Sequence, residues 1–286
     1  MRDYLVAFYA DIGKGVEFEY LQDAHYVLEE CRDCGLMYQR EVPDLFLLHK
    51  LYEEWIDPQT VRKVEARERT ARYLLWCGAE IARMIEHLRR APSEVKFLDF
   101  GMGGGNWCLI AKAFGCAAYG TEITERVAEY AVSRGIEHIP WEELAQHKFD
   151  FINAEQVFEH LVDPLLVLRR LRQVLAPGGI IRINVPGSHN IKRNLQLGDW
   201  LAPEKSPLSL NDVAPLQHLN CFNFESLARM GERADLREVE IPGDFLAPQG
   251  MAGNLKAIAR PFFHAFFPRL HEARRRLVSN VCFVGS

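Results

Sequence analysis

The stretch Phe97-Leu98-Asp99-Phe100-Gly101-Met102-Gly103-Gly104-Gly105-Asn106-Trp107 decides the fold. A short apolar run ends in a carboxylate, glycines follow, and a helical pattern begins at Trp107. Together these predict a strand, a tight turn and a helix N-terminus. Glycines belong in such a turn because backbone comes close to a ligand only where side chains are missing.

Outward from this turn the chain alternates strand and helix. Strand Val95–Phe100 leads to a helix over 105–114, and strand Ala117–Glu122 to a helix over 124–134. A short strand at Ile136–Ile139 precedes Trp141–Gln146 and strand Phe149–Asn153. Asp163-Pro164 then supplies an N-cap and a first-turn proline. Leu165, Leu168, Leu171 and Leu175 give that helix its apolar stripe, and Pro177-Gly178-Gly179 ends it before strand Ile180–Val185. Alternation of this kind predicts a doubly wound α/β fold, a mostly parallel sheet with helices on both faces. Two further strands, Leu236–Ile241 and Asn280–Val284, have no ordinary helical crossover between them. A reversed final strand in a seven-stranded sheet follows from that ending.

The flanks divide the chain into an N-terminal extension (1–56), a helical segment (57–92) and the α/β domain (93–286) with insertions at 186–220 and 243–279. In the extension, Cys31-Arg32-Asp33-Cys34-Gly35-Leu36 forms half of a zinc knuckle, since tetrahedral zinc usually takes four protein ligands. None of Cys77, Cys108, Cys116, Cys221 or Cys282 forms a second pair, and His25 and His49 are the available substitutes. A metal-free hairpin and a zinc site both remain open. Asp57-Pro58 starts a helical pattern that runs to about Arg90, with Gly78 as a point of division. The stretch 186–220 loses periodicity and carries Pro203, Pro207 and Pro215, as lids and binding loops do. A helix resumes at Phe224–Glu232. Within 243–279, Phe262, Phe263, Phe266 and Phe267 mix with Arg260, Arg269 and Arg274 to Arg276. Pro261 and Pro268 interrupt that pattern, which favours a helical cap or a homodimer contact over a helix lying on a membrane surface.

The bulk properties narrow the classes. A chain of 286 residues with 48% hydrophobic and 26% charged residues is ordinary for a globular protein. Its net charge of -5 is not that of a typical nucleic-acid binder. No apolar run reaches the length of a membrane span, and the first residues do not form a signal peptide. Seven cysteines, an odd number, suggest free thiols in a reducing compartment, so a cytoplasmic location is expected.

The ligand of the glycine turn follows from three residues. A dinucleotide fold calls for Gly-x-Gly-x-x-Gly, but Asn106 stands at the third position. Asp99 ends the first strand, where it can reach a cationic group. Glu122 ends the second, 21 residues after Gly101, where a carboxylate can accept both ribose hydroxyls. From Val95 to Ser286 the chain resembles the class I S-adenosylmethionine-dependent methyltransferases. The first motif of that family is matched by Leu98 to Gly105, the second by Tyr119-Gly120-Thr121-Glu122-Ile123, and the fourth by Phe149 to Pro164. Leu171 to Gly179 resembles the segment leading into the fifth strand. The resemblance implies S-adenosylmethionine as cofactor, with Gly101 and Gly103 under its methionine part and Gly105 among the cofactor-binding residues. It further implies Glu122 on the ribose, Ile123 on the adenine, Pro140-Trp141 bordering the adenine, and Glu155 flanking the methyl-donor end. Cys31, Cys34, Pro43 and Leu51-Tyr52 resemble the tail of a zinc-ribbon preface found in some small-molecule methyltransferases.

Methyl transfer is mainly a matter of alignment, with a base where the acceptor must lose a proton. His218 and His160 are the candidate bases, and Glu159 reads as structural. Trp107 or Trp141 could add a cation–π contact to the sulfonium. Some related methyltransferases bind a divalent metal through Glu-x-x-Glu-His. Gln156 stands where the first of those carboxylates belongs, so no catalytic metal is expected. The expected acceptor is a small molecule such as a sugar or a natural-product intermediate. A non-catalytic scaffold or partner subunit, and a protein or RNA methyltransferase, are the alternatives.

Overall fold

The computed structural model describes residues 1–241, except 14, 58, 61, 64, 65, 67, 68, 204 and 205, together with 280–285. Pro58, the insertion 243–279 and its Phe/Arg-rich segment lie outside the described residues.

Seven strands form the central sheet: β3 (Lys96–Phe100), β4 (Ala117–Thr121), β5 (Glu137–His138), β6 (Phe149–Glu155), β7 (Leu175–Asn184), β9 (Leu236–Val239) and β10 (Asn280–Gly285). Their order is β5-β4-β3-β6-β7-β10-β9. The first five are parallel, and β10 runs antiparallel to both β7 and β9, with Phe283 opposite Ile181 and Glu238. The reversed last strand expected from the sequence is therefore present.

Both faces of the sheet are buried, because successive side chains of an extended strand point to opposite sides. Leu98, Phe100, Ile152, Ile181 and Phe283 face one way and pack on Leu168 and Leu171 of α6 (Pro164–Val174) and Leu227 of α8 (Phe224–Arg233). Phe97, Phe151, Ile180 and Cys282 face the other way. They pack on Cys77, Ile81 and Met84 of α3 (Ala71–Leu88), on Trp107 and Ala111 of α4 (Asn106–Phe114), and on Ala128 and Ala131 of α5 (Glu125–Ser133). The Asp163 carboxylate caps α6 by accepting from the Leu166 N–H at 2.9 Å, with Pro164 in the first turn.

Several elements differ from expectation. Helix α3 runs unbroken through Gly78 and starts at its Thr70 cap, because Cys77, Ile81 and Ile85 bury one continuous face. Strand β7 begins at Leu175, and Pro177-Gly178-Gly179 is absorbed as an irregularity in its pairing with β6. The segment 186–220 contains a helix, α7 (Ile191–Leu197), closed by Gly198 in the left-handed conformation.

The N-terminal extension is built from α1 (Arg2–Ile12), the hairpin β1 (Leu28–Glu30) and β2 (Met37–Gln39), and α2 (Leu45–His49), which continues as a π-helical turn over Lys50–Trp55. The hairpin takes a third strand from far along the chain, β8 (Asn220–Cys221), with Met37 opposite Cys221. Gln39 reinforces the join, its amide donating to the carbonyls of Ala214 and His218 at 3.0 Å each. Extension and loop therefore form one wall.

Candidate active site

The glycine turn joins the C-terminal end of β3 to α4. Gly101 has φ +73, and a Cβ there would lie 2.5 Å from Val157 Cγ2, so glycine is required on two counts. Gly105 has φ +77, and a Cβ would meet Ile136 at 2.9 Å. The turn is tied to the end of β4, since the N–H groups of Gly101 and Met102 both donate to the Thr121 carbonyl at 3.0 Å. Asn106 earns its place where a dinucleotide fold has a third glycine: its Oδ1 accepts from Arg134 Nη1 at 3.1 Å, and the same guanidinium donates to the Gly104 carbonyl.

Glu122 follows β4. One of its carboxylate oxygens accepts from the Gly103 N–H at 3.1 Å and the other from the Thr124 N–H at 3.0 Å. Beside it Ile123 is 80% exposed, an apolar surface for a flat ligand to cover. Trp141, expected at the adenine border, packs against Phe100 and lies under the Arg170 guanidinium at 4.0 Å.

A polar network fills the sheet face beneath the turn. Asp99, 1% exposed, accepts from Asn153 Nδ2 at 2.8 Å. Asn153 Oδ1 accepts from Arg182 Nη1 at 2.8 Å, and that same nitrogen donates to Glu155 Oε2 at 2.7 Å. Asn184 Nδ2 holds the other Glu155 oxygen at 2.6 Å, and Glu80 Oε2 on α3 takes Arg182 Nε at 3.2 Å. Arg182 is fully buried, its guanidinium 4.9 Å from the Trp107 ring centroid. Burial pushes the Asp99 carboxyl up to about 8, against the hydrogen bond from Asn153. Asp99 and Glu155 were expected at this site. Arg182, Asn153, Asn184 and Glu80 were not, although an arginine inside the apolar run Ile180-Ile181-Arg182-Ile183 is a visible signal for a buried partner.

The two expected bases come together. His160 lies in the single turn Phe158–His160 after β6, and His218 in the wall just before β8. Their rings are 4.8 Å apart at 70°. His160 Nδ1 is 3.0 Å from the Gln217 carbonyl and 3.4 Å from the Tyr52 hydroxyl. A carbonyl only accepts, so Nδ1 carries the proton and Nε2 the lone pair. That Nε2 is 3.8 Å from Glu159 Oε1. His218 makes a hydrogen bond with the backbone of Asn211, and its Nδ1 has no partner. Glu159 is 1% exposed, with no hydrogen-bond partner outside its own backbone at either carboxylate oxygen. Burial pushes Glu159 up to about 8, His160 down to about 3 and His218 down to about 4. Tyr52, brought in by the N-terminal extension, was not foreseen in this cluster.

In the β1–β2 turn, the Cys31 N–H donates to the Leu36 carbonyl and the Gly35 N–H to the Cys31 carbonyl, both at 2.8 Å. Among the described residues no third metal-ligating side chain joins Cys31 and Cys34. A cavity of about 660 Å³ opens between α1 and the extension, with Pro215 and Leu216 on one wall. None of Glu122, Glu155, His160 or His218 lines it. Among the described residues no helix is long and apolar enough to cross a membrane.

Comparison with known proteins adds a family. The family described as a methyltransferase domain matches residues 65–241. No curated protein matches the chain. The plantazolicin methyltransferase BpumL, solved in complex with SAH, is 17% identical over 84% of this chain and 94% of its own, with a TM-score of 0.50. An S-adenosylmethionine dependent methyltransferase from Mesorhizobium loti is 16% identical over 70% of this chain and 96% of its own, with a TM-score of 0.42. Streptomyces venezuelae DesVI is 15% identical over 46% of this chain at a TM-score of 0.40, and the match spans 58% of the DesVI chain. At such identities the likeness concerns the fold.

Proposed function

The chain belongs to the methyltransferase domain family, as a class I S-adenosylmethionine-dependent methyltransferase, and from that premise we propose that its acceptor is a small molecule. The observation that carries the cofactor's place is Glu122, whose carboxylate is already fixed by the N–H groups of Gly103 and Thr124. Gly101 shapes the turn beside it, since its positive φ and the close approach of Val157 both exclude a side chain there. Bound there, S-adenosylmethionine supplies an electrophilic methyl group on a sulfonium centre.

The chain's own residues bind, align and exclude water. Glu122 would accept the ribose hydroxyls with the lone pairs that the Gly103 and Thr124 N–H groups leave free. Glu122 and Glu155 set their negative charge around the buried Asp99, against the guanidinium of Arg182, surroundings that suit a cationic ligand. Arg182 and Asn184 hold the Glu155 carboxylate from both sides, which fixes the wall beside the reacting methyl group.

Support for a small acceptor comes from the wall that β2, β8 and the 206–220 stretch build around His160 and His218. The net charge of -5 argues against a polyanion. BpumL, similar in fold, is a methyltransferase named for plantazolicin. A base at His160 or His218 would use the Nε2 and Nδ1 lone pairs. Conjugate acids held at about 3 and 4 make both rings weak proton acceptors.

Calorimetry with S-adenosylmethionine is the first test. Binding near one equivalent is expected, and Glu122→Ala should weaken it at least tenfold by removing charge-assisted hydrogen bonds. Methyl transfer from labelled cofactor to hydroxylated small molecules is the second. Transfer confined to protein or RNA would reject the small-molecule acceptor.

A further inference from the structure

We propose that Glu159, His160 and His218 form a binding site for a divalent transition-metal ion. One ligand atom from each lies within 4.8 Å of the other two. The reading starts from Glu159. Its carboxylate is removed from water yet has no donor from any other residue on either oxygen. Buried polar atoms are almost always paired, and an orphaned carboxylate at the end of a turn needs a partner of some kind. Glu155 and Asp212 add negative charge to its surroundings, which suits a cation held between this carboxyl and the two imidazoles.

The two imidazoles are already set as ligands. His160 gives its Nδ1 proton to the Gln217 carbonyl and turns Nε2 toward Glu159. His218 bonds the Asn211 backbone and leaves Nδ1 free, 9% of the residue being exposed. A histidine that donates one ring N–H to a carbonyl has its tautomer and orientation fixed for coordination by the other nitrogen. A ligand needs only the neutral lone pair, so the depressed basicity that makes these rings poor bases does not count against this role. Ligands about 2.1 Å from zinc stand roughly 3.4 Å apart in a tetrahedron, and the His160–Glu159 separation of 3.8 Å is close to that.

Two nitrogens and one carboxylate favour zinc, manganese or cobalt over magnesium, which takes oxygen ligands. Three protein ligands also leave coordination positions open, as in catalytic rather than structural sites. The inference departs from the sequence-based expectation of no metal. That expectation rested on Gln156 in a Glu-x-x-Glu-His pattern, whereas His218 supplies the third ligand from the wall.

The test uses the full chain, stripped with a chelator and titrated with Zn²⁺ by calorimetry and with Co²⁺ by visible absorption. One equivalent of Zn²⁺ and a ligand-field spectrum for Co²⁺ are expected. Glu159→Gln and His218→Asn should each weaken Zn²⁺ binding at least tenfold. Cys31→Ser/Cys34→Ser should leave the stoichiometry and the Co²⁺ spectrum unchanged. S-adenosylmethionine binding, measured on the same preparations, reports whether each variant is folded and keeps this result separate from the methyltransferase reading. Failure of the wild-type chain to bind either ion, or loss of the ion with the cysteines, would overturn the proposal.

Discussion

At the scale of single residues, the site depends on positions that tolerate no substitute. Gly101→Ala adds a methyl group 2.5 Å from Val157 Cγ2 at a φ of +73. We expect a loss of about 1–3 kcal/mol in stability and a marked loss of cofactor affinity, read by thermal unfolding and calorimetry. Val157→Ala in the same chain should restore the steric part and leave the dihedral part. Asp99 gives a pH signature. Its folded carboxyl keeps a proton to about pH 8, while the unfolded one loses it near 3.8. Between those values the folded chain binds more protons, so this group makes the cofactor-free protein less stable as pH rises. Asp99→Asn should remove its share of that slope in denaturant titrations at pH 5 and pH 8. The places of Asp99 and Glu122 beside the glycine turn were legible in the sequence, because each closes an apolar strand run. The Arg182 partnerships were not, since nothing local links residue 182 to Glu80 on a helix 102 residues earlier.

Elements were legible where one periodicity ran long enough. The α6 stripe of Leu168 and Leu171, with Asp163-Pro164 at its head, specifies helix, buried face and start together. Leu171→Ala should cost about 2–5 kcal/mol as a cavity under the sheet, whereas Asp163→Ala should cost about 0.5–2 kcal/mol as a lost cap. Urea titration with unchanged slope would check both. Short elements hid. β8 has two residues and β2 three, too few to show an alternation, and what pairs them is a register set by distant chain. Helix α7 hid in the proline-bearing stretch because seven residues give barely two turns. Pro177-Gly178-Gly179 misled in the opposite direction: α6 ends at Val174 and the chain is extended from Leu175, so the tripeptide falls inside β7.

On the scale of the whole molecule, the N-terminal extension is part of the site's architecture, because Gln39 holds the carbonyls of Ala214 and of His218 itself. Gln39→Ala should lower hydrogen-exchange protection across 214–221 while leaving S-adenosylmethionine affinity within about twofold, since Glu122 and the glycine turn are untouched. This arrangement also imposes an order of events on synthesis. The extension is made before the stretch it pairs with, and the carbonyl that Gln39 needs belongs to Ala214, 175 residues later. At about 5–20 residues per second, the ribosome leaves Tyr9, Leu51 and Trp55 waiting roughly 10–35 s before Ala214 emerges to complete their cluster. The extension therefore waits unsettled while the sheet is made, and closes its own core only when the 214–221 stretch joins it.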